Sequence, residues 1–563
     1  VIARFSVTQD AYTLEIIKNA LVAIGDEMFA VLQRTSMSPI IYEALDFSVG
    51  LTDAQGNLIA QGQGTTVLLA MIDSFVHDIL SKYGADGVHP GDVFIGNDPY
   101  KGGGTHLSDF GLATPIFDGE ALVAFAVNKA HWLDVGGAVP GSFSTNATEI
   151  FQEGIQIPIC RIVEQGRKRQ DILDIIAANI RVPQESLGDL WAGVAANGVA
   201  ERRFKELVAK YGRSAVLAAK EELLAHGEAM VLEELKKLPK GTFVAEDFID
   251  DDGRGSDPLK VRVAVTISDD RFLADFSGSA PQVLGPINNS RTGLVSAVRL
   301  IFKALTNPHI PANSGTFRPV DVVCPDRTVF TAERPAPVST YWETQMYAVD
   351  LVWRALAPHV PDRLPAGHML SVCAVILAGT HVHTGKGVLC VQPLLGGWGA
   401  GKAKDGESGQ FSAADGETYN IPIEITEARY GFLVEQYAFH THDGGHGEFR
   451  GGRGVTLDYR IGTDSFTVTG SFGRFKFPPW SMEGGRSGSR NELQIIRADG
   501  SVQTVGKVTG LQLGKGDLVR MTTASGGGWG DPRRRNKEKV RSDVRNQYIT
   551  AAQASEYYGV EVS

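Results

Sequence analysis

The sequence predicts an α+β fold of mixed, mostly antiparallel sheets with segregated helices, and three observations lead there. Helix-type periodicity is concentrated in blocks, near the N-terminus and across 171–238. Strand-type alternation takes over from Val261, and short strands with turn signals follow Val455. Helices and strands therefore come in runs, whereas a doubly wound parallel sheet needs them to alternate.

In chain order, Leu14, Ile17, Leu21, Ile24, Met28 and Val31 recur at three- and four-residue steps and predict a helix over 13–34, with one apolar stripe facing a core. Ser38-Pro39 ends any continuation, because a proline disfavours helical backbone at the residue before it. Strands over 47–52 and 58–61 flank the turn at 53–56. The helical span 171–238 breaks near Gly212 and stops at Pro239. An acidic connector, EDFIDDDGRGSD, then leads into alternation at Val261, Val263, Val265 and Ile267. Helices near 292–305 and 341–356 interrupt the β-rich remainder, and the tail from Arg533 reads as helical. The expected division is 1–245, carrying a helical hairpin and the candidate site, then a β-rich 246–532, then a helical tail 533–563.

Hydrophobic residues make up 43 % and charged residues 21 % of the 563 positions, the balance of a globular protein with a sizeable core. A net charge of −11 argues against nucleic-acid or anionic-membrane partners. Apolar runs such as Val67–Ile72 are too short to span a bilayer. The opening VIARFSVTQD has no charged stretch followed by an apolar run, so no secretory signal is expected. Cys160, Cys324, Cys373 and Cys390 are widely spaced without a CxxC pair. That argues against a disulfide framework and suits a reducing cytoplasm, the expected location.

The stretches NDPYKGGGTHLSDF and VNKAHWLDVGG carry the strongest chemical signal. Between them lie Leu112, Ala113 and Ile116, an Asp118-Gly119 turn, and Val123, Phe125 and Val127 on one face: a β-hairpin pattern. With Asp118 and Gly119 as the two turn residues, His106 falls opposite His131. Two imidazoles and the Asp109 carboxylate then make a compact N,N,O set suited to zinc, manganese or iron, with positions left open for water or substrate. Positions 106 and 109 differ by an odd number, so a regular strand would point them apart. Gly102, Gly103 and Gly104 suggest a bend that turns both inward. Two structural histidines and a turn aspartate are the alternative. Asp134, three residues beyond His131, is a candidate imidazole partner or proton-transfer group.

Other clusters are weaker. GGWGAGKA at 396–403 nearly matches a phosphate-binding loop, but Ala403 lacks the hydroxyl for Mg²⁺ and Lys404-Asp405-Gly406 is a turn. A structural glycine loop is the better reading. His381/His383 has no nearby carboxylate, and His440, His442 and His446 lie with Asp443 in a glycine-rich loop.

Taken together, these motifs resemble the hydantoinase B/oxoprolinase family. NDPYKGGGTHLSDF is similar to its signature NDPY-x-GGTHL-x-D, and SPIIYEALDFSVGLTDAQGNLIAQG to an upstream block. GGWGAGKAKDG, NIPIEITEARYGFLVEQY, GGHGEFRGGRGV and GGGWGDP resemble later landmarks in the same order. The resemblance implies metal ligands at His106, Asp109 and His131, with Asp46 a fourth. It also implies a hetero-oligomer in which a hydantoinase A-type ATPase subunit, with ATP and magnesium, phosphorylates a small carbonyl substrate. The expected activity is opening of a cyclic amide (hydantoin, oxoproline or lactam). A component of an acetone- or acetophenone-type carboxylase is the second reading, and a non-catalytic structural subunit the third. The chain departs from the family pattern at TTVLLAMIDSF (65–75), where many relatives carry a histidine-containing HIPVHLGSM-like segment. It also has an extra glycine before Thr105, and Ser108 where proline is frequent. The first departure puts substrate transfer between relatives in doubt.

Overall fold

A computed structural model describes residues 11–69, 71–101, 103–416 and 418–562. The opening VIARFSVTQD and Gly102 lie outside the described residues. Seven strands form the first sheet: β1 (Phe47–Asp53), β2 (Leu58–Gly64), β3 (Val93–Gly96), β4 (Asp109–Asp118), β5 (Ala121–His131), β6 (Cys160–Glu164) and β7 (Arg167–Lys168), in the order β2-β1-β5-β4-β3-β6-β7. Every pairing in it is antiparallel. β4 and β5 are buried along nearly their whole length because helices cover both faces. α1 (Ala11–Thr35) and the helix Pro183–Tyr211 pack on one side. The helix Ile72–Tyr83 packs on the other, against Phe94, Ala113, Phe125 and Val127.

The hairpin register differs from the expected one. Its turn residues are Gly119 and Glu120, since Asp118 pairs with Ala121. A bulge at Val123 then adds one residue to β5, so Ile116 pairs with Ala124 and Asp109, not His106, pairs with His131. The bulge also moves Val123 to the core opposite that of Phe125 and Val127. A bulge is invisible to a pattern that assumes strict alternation.

A second sheet contains Gly241–Ile249, Leu259–Ile267, Phe272–Asp275 and Val320–Val323, the last pair parallel. Across it packs the helix Trp342–Leu356, buried at every position but Arg354. One apolar core runs through residues from Ile17 to Met482. Two further antiparallel sheets form a sandwich in the C-terminal half. Val375, Leu377, Leu457, Tyr459, Leu493 and Ile495 interdigitate between them.

The glycine-rich loops at 396–401, 444–454 and 526–532 lie backbone against backbone. Gly452 N–H donates to Trp398 O at 2.8 Å and Gly526 N–H to Gly452 O at 3.0 Å. A Cβ on Gly397 would sit 2.1 Å from Gly452 O, so only glycine permits the approach. The phosphate-loop look-alike belongs here. Gly397, Trp398 and Ala400 spend their N–H groups on Ala524, Glu407 and Gly527 carbonyls and so are not free to cradle a phosphate. All four cysteines are free. Among the described residues no helix is long and apolar enough to cross a membrane.

Arg474 ties three parts of the chain together. Its guanidinium donates to Asp247 at 2.9 Å on the second sheet and to Asp350 at 2.7 Å on the helix Trp342–Leu356, with the Tyr347 ring beneath it. Arg474→Met leaves buried Asp350 without its ion-pair partner and Asp247 with only its Arg354 contact at 3.3 Å. Its unfolding free energy is expected to fall by about 3–5 kcal/mol, read as a lower urea midpoint at unchanged slope.

Candidate metal centre

His106 lies in the turn that enters β4, where Asp109 N–H donates to His106 O at 3.3 Å. This turn brings 106 and 109 to the same side despite their odd spacing. His131 ends β5 directly across from Asp109. Three donor atoms result: His106 Nε2 and His131 Nδ1 are 3.2 Å apart, with Asp109 Oδ1 at 3.1 Å and 3.2 Å from them. A cation about 2.1 Å from each of three donors would hold them about 3.0 Å apart at octahedral angles and about 3.4 Å apart at tetrahedral ones. The observed triangle falls between, so the residues fit a divalent transition metal.

On His106 and Asp109 the remaining polar atoms are already engaged. His106 Nδ1 donates to the Ser339 carbonyl at 3.1 Å, so a neutral His106 carries its lone pair on Nε2, facing the other two donors. Asp109 Oδ2 accepts from the Thr105 hydroxyl and from Tyr341 Oη at 3.4 Å, which leaves Oδ1 for the centre. Burial pushes the Asp109 carboxyl up, but the two imidazoles overcome this and hold it well below the usual range. For His131, burial opposes the charged form, and the Asp109 and Asp46 carboxylates reverse the balance and raise it.

Asp46, the expected fourth ligand, is half-buried at the edge of the triangle. Its Oδ2 is 3.9 Å from His131 Nδ1, and its Oδ1 accepts from Thr65 at 3.4 Å. Burial pushes its carboxyl above the ordinary value, with Asp109 adding to the rise. Asp134 is elsewhere. Its buried carboxylate accepts from Gly136 N, Gly141 N and Arg181 N and pairs with the Arg181 guanidinium at 3.0 Å. Both oxygens are engaged by backbone N–H groups and Arg181, and neither contacts an imidazole among the described residues. The other histidine clusters are structural: His381 Nε2 meets Ala428 O, His440 Nε2 meets Thr523 O, and His446 lies between Asp443 and Tyr558.

The triangle opens on a cavity of about 60 Å³, enough for a few waters or a small molecule. Its walls are largely apolar: Phe143 stacked on Trp342, with Ala374, Ile376 and Val391 from the first sandwich sheet. Thr65 and Val67, from the segment that departs from the family pattern, line it too. So does Asp415, whose carboxyl burial pushes up to about 7 against the Ser412 hydroxyl, with Asp46 adding to the rise. Asp415 escaped the sequence reading, as did Ser339 and Glu153. Glu153 is fully buried and accepts from Val338 N at 2.9 Å and Ser339 N at 2.8 Å, fixing the backbone whose carbonyl orients His106. No spacing rule links positions 153, 339 and 415 to 106, because their proximity is purely tertiary.

Mostly antiparallel sheets with segregated helices, and two histidines and a carboxylate that could hold a metal ion, define the class, and comparison narrows it. The hydantoinase B/oxoprolinase family model matches residues 10–532, and the chain belongs to that family. The B component of a putative D-/L-hydantoinase from Pseudomonas sp. (strain NS671) is 31% identical over 579 residues, covering 98% of this chain and 95% of its own length. The crystal structure of ATP-dependent caprolactamase from Pseudomonas jessenii matches with a TM-score of 0.92 at 29% identity, covering 99% of this chain and 97% of that one. A nucleotide-free acetone carboxylase structure also gives a TM-score of 0.92, at 20% identity, over 99% of this chain and 80% of that one, which shows a shared fold.

Burial pushes the Glu153 carboxyl up to about 8, from an ordinary 4.5. The folded value is the higher one, so as pH rises the unfolded chain loses this proton first. The ionisable group therefore lowers stability progressively from about pH 4.5 to 8. Glu153→Gln keeps the accepting oxygen but does not titrate, so its stability relative to the parent chain is expected to rise across that window in denaturant titrations. Glu153→Ala frees residues 338–339 and is expected to weaken metal binding about 10–100-fold, measured by competition with a chelator.

Proposed function

We propose that this chain is the metal-holding catalytic subunit of an ATP-dependent enzyme that opens a cyclic amide (a hydantoin, oxoproline or lactam) after a hydantoinase A-type partner has phosphorylated it. The observation that carries the reading is the three-donor triangle: His106 Nδ1 is committed to Ser339 and Asp109 Oδ2 to Thr105 and Tyr341, which leaves His106 Nε2 and Asp109 Oδ1 facing His131 Nδ1. The hydantoinase and caprolactamase relatives supply the substrate class.

His106, Asp109 and His131 would hold zinc, manganese or iron, with Asp46 placed to join them. Such an ion supplies a water of lowered pKa and positive charge for a developing oxyanion. Phe143, Trp342, Ile376 and Val391 form a dry wall for a small uncharged ring and keep bulk water from the activated carbon. Asp415, raised to about 7, holds a proton at the same cavity and is positioned to deliver it to the departing ring nitrogen. ATP and its magnesium are assigned to the partner, a reading supported by the phosphate-loop look-alike, in which Gly397, Trp398 and Ala400 have their N–H groups engaged.

The chain purified under metal-free conditions and recombined with its partner is expected to turn over ATP on adding hydantoins or lactams only after a transition metal is restored. His131→Ala should abolish stoichiometric metal and activity while the complex still assembles. A strict requirement for bicarbonate would instead assign a ketone carboxylase, and full activity in His106→Ala would leave a structural subunit. Asp415→Asn is expected to keep the metal and lose about 10²–10⁴-fold in kcat, the usual worth of a positioned acid.

A further inference from the structure

A second cavity, of about 220 Å³, adjoins the metal cavity and is lined by Gln61, Thr66, Arg299, Lys303, Phe317 and Ala413 among others. The two share a partition. Thr65 and Val67 face the metal cavity while Thr66 faces this one, and Asp415 and Ala413 divide in the same way. Thr66 Oγ1 and Val67 N both donate to Ala414 O, at 2.8 Å and 3.0 Å, which pins the two halves of the partition together.

The two cations of this cavity differ in their surroundings. Arg299 donates to Asp73 at 2.7 Å and lies over the Phe317 ring, so its charge is answered within the protein. Lys303, one turn further along the same helix, has its Nζ buried with no hydrogen-bond partner among the described residues. Burial pushes its amine down to about 8, and no carboxylate opposes the fall. A buried ammonium without a protein partner among the described residues is an unfavourable group that structure seldom retains without use. Its four-carbon stem is flexible enough to carry the charge toward an anion in the adjoining space. The remaining wall is apolar, with Leu300, Ala304, Pro308 and Ala312 beside Phe317.

We propose that this cavity binds a small aliphatic carboxylate, its single negative charge meeting Lys303 and its hydrocarbon chain lying on the apolar wall. A phosphate dianion fits less well, because one unanswered cation balances one charge and the wall offers few further donors. The ligand class follows from the cavity alone. Opening a cyclic amide releases a carboxylate, so under the function proposed above, on which this clause rests, the site would sense product across a three-residue partition from the metal.

Calorimetric titration of the full chain with butyrate, with butyramide as the neutral isostere, tests the site. Butyrate is expected to bind saturably, butyramide at least about tenfold more weakly, consistent with loss of a charged partner. Lys303→Met and Lys303→Gln should both lose the binding, and Lys303→Met should raise the melting temperature of the ligand-free chain by removing an unanswered charge. His131→Ala should bind butyrate like the parent, whatever reaction the metal centre performs. No saturable binding by the parent chain overturns the proposal. So does binding that survives both Lys303 variants, or that disappears in His131→Ala and thereby places butyrate at the metal centre.

Discussion

A neutral imidazole has one N–H, and where that proton goes decides what the other nitrogen can do. In this protein the Ser339 carbonyl takes the proton side of His106, and the lone pair on Nε2 is left pointing at His131 and Asp109. Thr105 and Tyr341 do the same for Asp109 by occupying Oδ2. Three electron-rich atoms held about 3 Å apart repel one another unless a proton or a cation lies between them. The surrounding hydrogen bonds turn that repulsion into a receptive site, as outer partners of metal ligands commonly do.

Keeping the Ser339 carbonyl in place draws on distant parts of the chain. Glu153 holds its backbone from below, and Ser144 O accepts from its hydroxyl at 2.5 Å. The helix Trp342–Leu356 begins just after it and is anchored by Asp350 to the buried Arg474. The sandwich then supplies the apolar lid over the metal cavity through Ala374, Ile376 and Val391. Where the glycine loops meet, at Gly397, Gly452 and Gly526, no side chain is admitted, so their spacing is set by backbone contact. Ligands from the first sheet and the wall from the third are thus held in one frame.

Much of this was legible in the sequence. The helix predicted over 13–34 spans Ala11–Thr35, and the break near Gly212 separates the helices Pro183–Tyr211 and Arg213–Lys237. His106, Asp109 and His131 were visible as a set because a hairpin brings both ends of a local stretch together. The register connecting them was not, since the turn sits one residue later and Val123 bulges. The helix Ile72–Tyr83 went unread, although its first turn lies in the segment 65–75 that departs from a family motif. Asp134 looked chemical for its closeness in sequence to His131, yet its oxygens are consumed by Arg181 and local backbone.

Residue order alone was enough to establish the class of fold, the hairpin and the three chemically capable side chains, because periodicity and short-range spacing are properties of neighbouring residues. Folded contacts were needed to settle which atoms of His106 and Asp109 are free, which carboxyl shares the cavity, and that Lys303 Nζ has no hydrogen-bond partner among the described residues. Those outcomes depend on contacts such as His106 with Ser339, 233 positions apart in the chain. Hydrogen-bond tautomers and burial are set by whatever the folded chain places alongside, and no local pattern encodes that.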